Sequence, residues 1–193
     1  MTEHVCPWWV GYLLASPLRR FFQDPRRILE PHVRRGMVAL DVGCAMGFFT
    51  LPMAQLVGED GRVVAVDLQE RMTRSLERRA CKAGLSSRIQ IRTCTSTSLG
   101  IDDLEDDVDF ALAFAVLHEM PDINKALASI CRSLKPDGVL LIAEPAGHVS
   151  EQEFNSTSAI AMGCGLDVVS SPGIRRTHAL LLSRRSAYRN LLS

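Results

Sequence analysis

Five short runs of mostly apolar residues recur along the chain, at 37–42, 62–67, 89–93, 108–114 and 139–144, with longer amphipathic stretches between them. Short runs that do not alternate polar with apolar read as strands buried on both faces. The intervening stretches have helical spacing. Across 70–83, Met72, Leu76, Ala80 and Ala83 share a face with arginines outside it, and across 122–134 Ile123, Leu127, Ile130 and Leu134 do the same. Five strand–helix units in succession require a parallel sheet with helices on both faces. Ser150-Glu151-Gln152-Glu153 predicts a helix opened by a capping box and closed by the glycines at 163–165. The tail leaves this rhythm. Residues 166–171 and 177–183 read as strands, and the Pro-Gly-Ile-Arg-Arg between them is too short for a parallel crossover, so they form an antiparallel hairpin. The expected fold is α/β, a doubly wound, mostly parallel sheet with the last strand antiparallel.

Ahead of the sheet, Ser16-Pro17 and Asp24-Pro25 read as cap-then-proline helix starts, the second helix ending at Gly36. Residues 1–36 are expected to be a helical N-terminal segment acting as a lid or cap. Residues 37–193 are expected to be the main domain, the whole forming a single globular unit. A chain of 193 residues suits one domain. Lys and Arg number 22 against 22 Asp and Glu, so there is no net basic field to drive nucleic-acid binding, and no nucleic-acid partner is expected. The six cysteines include no C-x-x-C pair, and no metal site is expected. The apolar stretch 5–15 is too short to span a bilayer and has its charges in the wrong order for a signal peptide. The expectation is a cytoplasmic protein without a membrane partner.

In an open α/β sheet, ligands bind beyond the carboxyl ends of the strands. The first strand ends in Asp41-Val42-Gly43-Cys44-Ala45-Met46-Gly47 and the second in Asp67. Pro52 lacks an N–H and is harmless only in a first turn, so the next helix begins near Phe48 or Phe49 and Gly43 to Gly47 is the connecting turn. Asp67 is placed to accept hydrogen bonds from a ribose diol. A dinucleotide fingerprint would need glycine where Ala45 and Phe48 stand, and Asp41 would repel a pyrophosphate. The same carboxylate suits a cofactor carrying an ammonium group, so the electrostatics favour an amino-acid nucleoside.

Asp41-x-Gly43-x-x-x-Gly47, then Asp67, then the run from Asp109 to Phe114 and Leu117-His118, resemble the class I S-adenosylmethionine-dependent methyltransferases. The resemblance covers about residues 37–184. It implies a seven-stranded sheet of order 3-2-1-4-5-7-6 and S-adenosylmethionine as the cofactor. It also implies that the turn of Gly43, Cys44, Ala45 and Gly47 holds the methionine end, reached by Asp41 directly or through water. By the same resemblance Asp67 takes the ribose hydroxyls, Leu68 and Met72 border the adenine, and the main chain near Phe114 faces the ammonium. Ala45 stands where the family most often has glycine. The acid that often follows the third strand is replaced here by Thr93-Cys94-Thr95-Ser96-Thr97, leaving Cys94 and Thr95 as the expected adenine contacts.

The implied function is methyl transfer to an acceptor. The Asn/Asp-Pro-Pro-Tyr/Phe and Pro-Cys motifs of nucleic-acid methylating enzymes are absent after the fourth strand, which favours a small molecule over a protein. His118 has two readings, a general base or a group that orients a loop. Trp8, Trp9 and Tyr12 either close over the cofactor and recognise an apolar substrate or pack a helix on the domain. The alternative functions are a non-catalytic S-adenosylmethionine-binding regulatory module and, less favoured by the turn, a nicotinamide-dependent oxidoreductase.

Overall fold

The computed structural model describes residues 23–185. Trp8, Trp9, Tyr12 and the helix start at Ser16-Pro17 lie outside them. The strands are β1 Val38–Val42, β2 Arg62–Asp67, β3 Ile89–Thr93, β4 Val108–Phe114, β5 Leu134–Pro145, β6 Leu166–Ser170 and β7 Thr177–Arg184. The helices are α1 Pro25–Leu29, α2 Thr50–Val57, α3 Glu70–Lys82, α4 Ile123–Ser133 and α5 Glu151–Gly163. All seven strands form one sheet of order β3-β2-β1-β4-β5-β7-β6. β1 pairs in parallel with both β2 and β4, and β7 alone runs antiparallel to its neighbours β5 and β6. This is the expected topology, with its switch point between β1 and β4.

The sheet divides the core into two layers. Leu40, Val42, Val64 and Val66 point to the face covered by α4 and α5, where Leu127, Ile130 and Phe154 meet them. Ala39, Val63, Ala65 and Leu112 point to the opposite face, under Leu29, Met53 and Leu76. Apolar residues on both faces are what make these strands read as continuous runs. β3 is the exception. It lies at the sheet edge, its Ile-Gln-Ile-Arg alternates, and only Ile89 is fully buried, so the expectation of two buried faces fails there.

Three further expectations are corrected. The helix opened by Asp24, whose side chain accepts the Arg26 N–H at 3.0 Å, ends at Leu29 instead of Gly36. Pro31 follows one residue after its C-cap, lacks an N–H and disfavours helical backbone before it. No α-helix joins β3 to β4, only a turn of 3-10 helix at Asp102–Leu104, so the third of the five expected strand–helix units lacks its helix. That segment is rich in Thr, Ser and Asp, which bond their own backbone in place of a helix. Here the Ser98 N–H donates to Thr95 Oγ1 and the Gly100 N–H to Ser98 Oγ. β5 starts at Leu134, not at 139, because Leu134 already pairs with Val108 before a bulge at Pro136-Asp137-Gly138. The capping box at Ser150 and Glu153 is formed as expected.

The β1–α2 turn is suspended from the end of β2. The Val66 carbonyl accepts the N–H groups of Gly43 (2.9 Å) and Cys44 (3.0 Å), and the Asp67 carboxylate accepts that of Ala45 (2.9 Å). Gly43, Ala45 and Gly47 all take left-handed φ, at 72°, 45° and 84°. A Cβ on Gly43 would stand 2.4 Å from Val116 Cγ2, and one on Gly47 2.4 Å from Leu76 Cδ1, so both positions need glycine for space as well as for φ. Ala45 bears the strain instead. Left-handed backbone costs an L-residue roughly 1–2 kcal/mol, and glycine gives back about 0.4–1 kcal/mol through the unfolded chain. Ala45→Gly should therefore raise stability by about 0.5–1 kcal/mol in urea unfolding, and Gly43→Ala should lower it. Loss of stability in Ala45→Gly would contradict the strained turn.

Candidate active site

A cavity of about 1030 Å³ opens at the carboxyl ends of β1, β2 and β4 and continues along α4, where among the described residues no helix joins β3 to β4. Two strand-end carboxylates sit in its wall. Asp41 is the last residue but one of β1 and is 2% exposed. Its Oδ2 accepts the Thr50 hydroxyl at 2.6 Å, from the first residue of α2. Burial, opposed by that hydrogen bond and reinforced by nearby Asp67, pushes its carboxyl up to about 7. Asp67 accepts the Ala45 N–H on Oδ2 (2.9 Å) and the Gln69 N–H on Oδ1 (2.8 Å). Burial raises its pKa, and these two backbone donors hold it down. Each Asp67 oxygen keeps acceptor capacity beyond its one backbone bond.

Of the candidate cofactor residues, Asp41, Gly43, Cys44, Ala45, Asp67 and Leu68 line the cavity together with Met72, Cys94, Thr95 and Phe114. Gly47 does not; its backbone instead lets Leu76 of α3 close against the turn. Leu68 is 39% exposed at this wall, one of the few large apolar side chains open to solvent, and Met72 lies buried behind it. Together they make an apolar shelf beside Asp67. Cys44 and Cys94 are thiols: burial and the neighbouring aspartates push both pKa values up. Among the described residues no cluster of His, Cys, Asp and Glu is placed to hold a metal ion, and no helix is long and apolar enough to cross a membrane.

His118 lies just past β4, in the 3-10 turn Leu117–Glu119, and does not line the cavity. Its Nδ1 is 2.5 Å from Glu144 Oε2, and the other Glu144 oxygen accepts the Leu117 N–H at 2.8 Å. Glu144, 1% exposed, ends β5 as Asp41 and Asp67 end β1 and β2. Sequence reasoning missed it, although the same signal, an acid closing a buried run, marks all three. Thr50 was also missed, because nothing in the turn motif distinguishes it. The Glu144 hydrogen bond, partly offset by burial, raises the His118 pKa, with Glu144, Glu119 and Glu153 adding charge attraction.

A model of the methyltransferase-domain family matches residues 34–175. The doubly wound sheet with a reversed seventh strand, and this match over most of the chain, place the protein in one class: it belongs to the methyltransferase-domain family. The chain is 29% identical over 179 residues to the nocamycin O-methyltransferase of Saccharothrix syringae, covering 92% of this chain and 62% of that one. It is 30% identical over 150 residues to the ubiquinone/menaquinone biosynthesis C-methyltransferase of Marinomonas sp. strain MWYL1, covering 76% and 58%. It thus spans about three-fifths of the length of these curated relatives. A crystal structure of a SAM-dependent methyltransferase from Aquifex aeolicus shares the fold, with a TM-score of 0.80, 23% identity and coverage of 93% and 98%.

The His118–Glu144 pair has a consequence for stability. A histidine whose folded pKa is raised stabilises the fold fully below its unfolded pKa near 6.5, and that contribution is lost as pH rises through the folded value. His118→Ala also leaves Glu144 buried without its partner. The variant should lose about 2 kcal/mol, less than a fully buried pair would because His118 is partly exposed. The difference from wild type should be largest near pH 6 and should shrink towards pH 9 in urea unfolding. A gap that widens with pH would show that His118 is neutral in the fold.

Proposed function

We propose that this chain binds S-adenosylmethionine in the β1–β2–β4 cavity and transfers its methyl group to a small-molecule acceptor. The observation that carries the reading is the pair of strand-end carboxylates, Asp41 and Asp67, flanking a glycine turn on one open cavity. The residues fit that cofactor chemically. Asp67 presents acceptor oxygens to a diol, Leu68 and Met72 offer an apolar face to a flat base, and Asp41 supplies negative charge for an ammonium or sulfonium. A dinucleotide pyrophosphate would meet the same carboxylates as repulsion, which disfavours the oxidoreductase reading. When bound, the cofactor supplies an already activated methyl group, and the chain's task is to hold donor and acceptor in line and exclude water. The small-molecule acceptor is supported by the relatives named for nocamycin and for quinone biosynthesis. In this reading Trp8, Trp9 and Tyr12 are assigned to covering the site, while the rest of the expected lid is corrected: Leu29 and Val33 pack into the core and no residue of 23–36 lines the cavity.

Incubation of the protein with methyl-labelled S-adenosylmethionine and a metabolite extract, read by mass spectrometry, should yield a labelled small molecule. Cofactor binding without any labelled product would favour the regulatory module. Asp67→Ala should weaken cofactor affinity at least about tenfold by calorimetric titration, since hydrogen bonds to a charged group are worth roughly 1.5–3 kcal/mol and each 1.4 kcal/mol is tenfold. Asp67→Asn, which keeps an acceptor oxygen, should lose less. Wild-type affinity in a folded Asp67→Ala would place the ribose elsewhere.

A further inference from the structure

β4 leaves the sheet through a bend that its sequence does not favour. Ala115 takes a left-handed φ of 55°, where the Cβ of an L-residue crowds the following carbonyl. Three contacts with β5 hold the bend: the Ala115 N–H donates to the Ala143 carbonyl at 2.7 Å, the Leu117 N–H donates to Glu144 Oε1 at 2.8 Å, and His118 Nδ1 meets Glu144 Oε2 at 2.5 Å. Two of these end on one carboxylate, which is buried. A buried ionic pair is a costly way to close a turn, since apolar side chains would fill the same space. What the pair holds is one wall of the cavity, lined by Phe114, Ala115 and Val116. Val116 takes up the space above Gly43, where an added Cβ would stand 2.4 Å from its Cγ2 and 2.8 Å from its Cβ. The glycine turn and the post-β4 bend are thus fitted to each other. A bend that relaxed would take Val116 off Gly43 and reshape the cavity there.

We infer that Glu144 and His118 are positioning residues for cofactor binding, a hydrogen-bonded pair that holds the Ala115–Val116 bend in the form that completes the cavity at the glycine turn. The inference rests on the S-adenosylmethionine reading above. Neither side chain lines the cavity, and both act through Val116 and the backbone of Ala115. Without the pair, the left-handed form of Ala115 competes with the extended and helical forms that alanine prefers. Affinity then falls with the fraction of molecules that keep the bend. By reciprocity, bound cofactor tightens the bend. One variant carries a pH signature. In Glu144→Gln the amide oxygen takes the Leu117 N–H while the amide NH2 donates to Nδ1 of a neutral His118, so both bonds survive. When His118 is charged, Nδ1 is itself a donor facing that NH2, and one bond is lost. The groups facing the ring are Glu144 from β5, Glu153 from α5 and Glu119 from its own turn, and His178 of β7 stands opposite Glu144 in the sheet.

The test is calorimetric titration of the full chain with S-adenosylmethionine, each variant compared with wild type at the same pH so that the titration of Asp41 cancels. At about pH 8, Glu144→Ala should bind about tenfold more weakly, and Glu144→Gln within about threefold of wild type. At about pH 5.5, below the ordinary histidine value, Glu144→Gln should bind about tenfold more weakly than wild type. Adding Ala115→Gly to Glu144→Ala removes the left-handed penalty and should recover at least about threefold of the lost affinity. Hydrogen exchange of the wild-type Leu117 amide gives a readout that needs no variant, and it should slow about tenfold on saturation with cofactor. Wild-type affinity in a folded Glu144→Ala, a Glu144→Gln ratio that is the same at both pH values, or Leu117 exchange unmoved by cofactor would overturn the inference. A wild type that binds no S-adenosylmethionine would sink the cofactor reading and with it this role for the pair. Equal Leu117 exchange in ligand-free Glu144→Ala and wild type would sink the role of the pair alone.

Discussion

Three hydrogen bonds hold the site together: the N–H groups of Gly43 and Cys44 on the Val66 carbonyl and that of Ala45 on the Asp67 carboxylate. They hang the β1–α2 turn from the end of β2, so that the turn cannot move without the strand beside it. Everything that faces the cavity on this side follows from that attachment. The turn is left with left-handed backbone at Gly43, Ala45 and Gly47, and α2 begins at Thr50 with its hydroxyl on Asp41. The close approach of Val116 and Leu76 to the two glycines then seals the turn against the post-β4 loop and against α3. Asp67 thus braces the turn's backbone through Ala45 while facing the cavity, where the proposed reading sets it against a ribose diol.

The site holds two acids away from bulk water, Asp41 buried and Asp67 half-buried. Asp41 is buried with one hydroxyl and no cation among its hydrogen-bond partners, and Asp67 is bonded by backbone alone. A fold gains nothing in stability from such groups, because burial penalises the charged form. Glu144 offers the contrast. It is equally buried, but it has His118 as a partner, and it serves the wall of the cavity from behind. Among the described residues, Glu144 has a histidine partner while Asp41 has only a hydroxyl and Asp67 only backbone N–H groups, which suits the proposed reading of a cationic group at Asp41 and a diol at Asp67.

The fold was largely legible in the sequence because both faces of the sheet are covered, which leaves a signature of uninterrupted apolar runs. Where a strand lost one cover, as at β3, the run alternated. Where turn residues interrupted a ladder without ending it, as at Pro136-Asp137-Gly138, the strand was read too short. The missing helix between β3 and β4 was legible in principle, since Thr95, Ser98 and Gly100 are turn formers, but the regularity of the other four units invited the assumption that this one was complete. The wall of the cavity that carries Asp41 and Asp67 was legible because glycine spacing and strand-end acids are local patterns. The opposite wall was not. His118 lies just past β4, but the Glu144 that fixes it comes 26 residues later and is brought there only by the β4–β5 pairing.

The central claim is that Asp41 awaits a cation, and proton linkage tests it most directly. Asp41 has its carboxyl pushed up to about 7 without ligand, and a cation beside it would lower that value. Binding then releases a proton, and affinity must rise with pH through the ligand-free value and level off above it. Calorimetric titration with S-adenosylmethionine from about pH 5.5 to about pH 7.5, in buffers of different ionisation enthalpy, reads both quantities. The account predicts affinity increasing roughly tenfold across that range, with net proton release that disappears in Asp41→Asn. Affinity independent of pH, or proton uptake on binding, would contradict it.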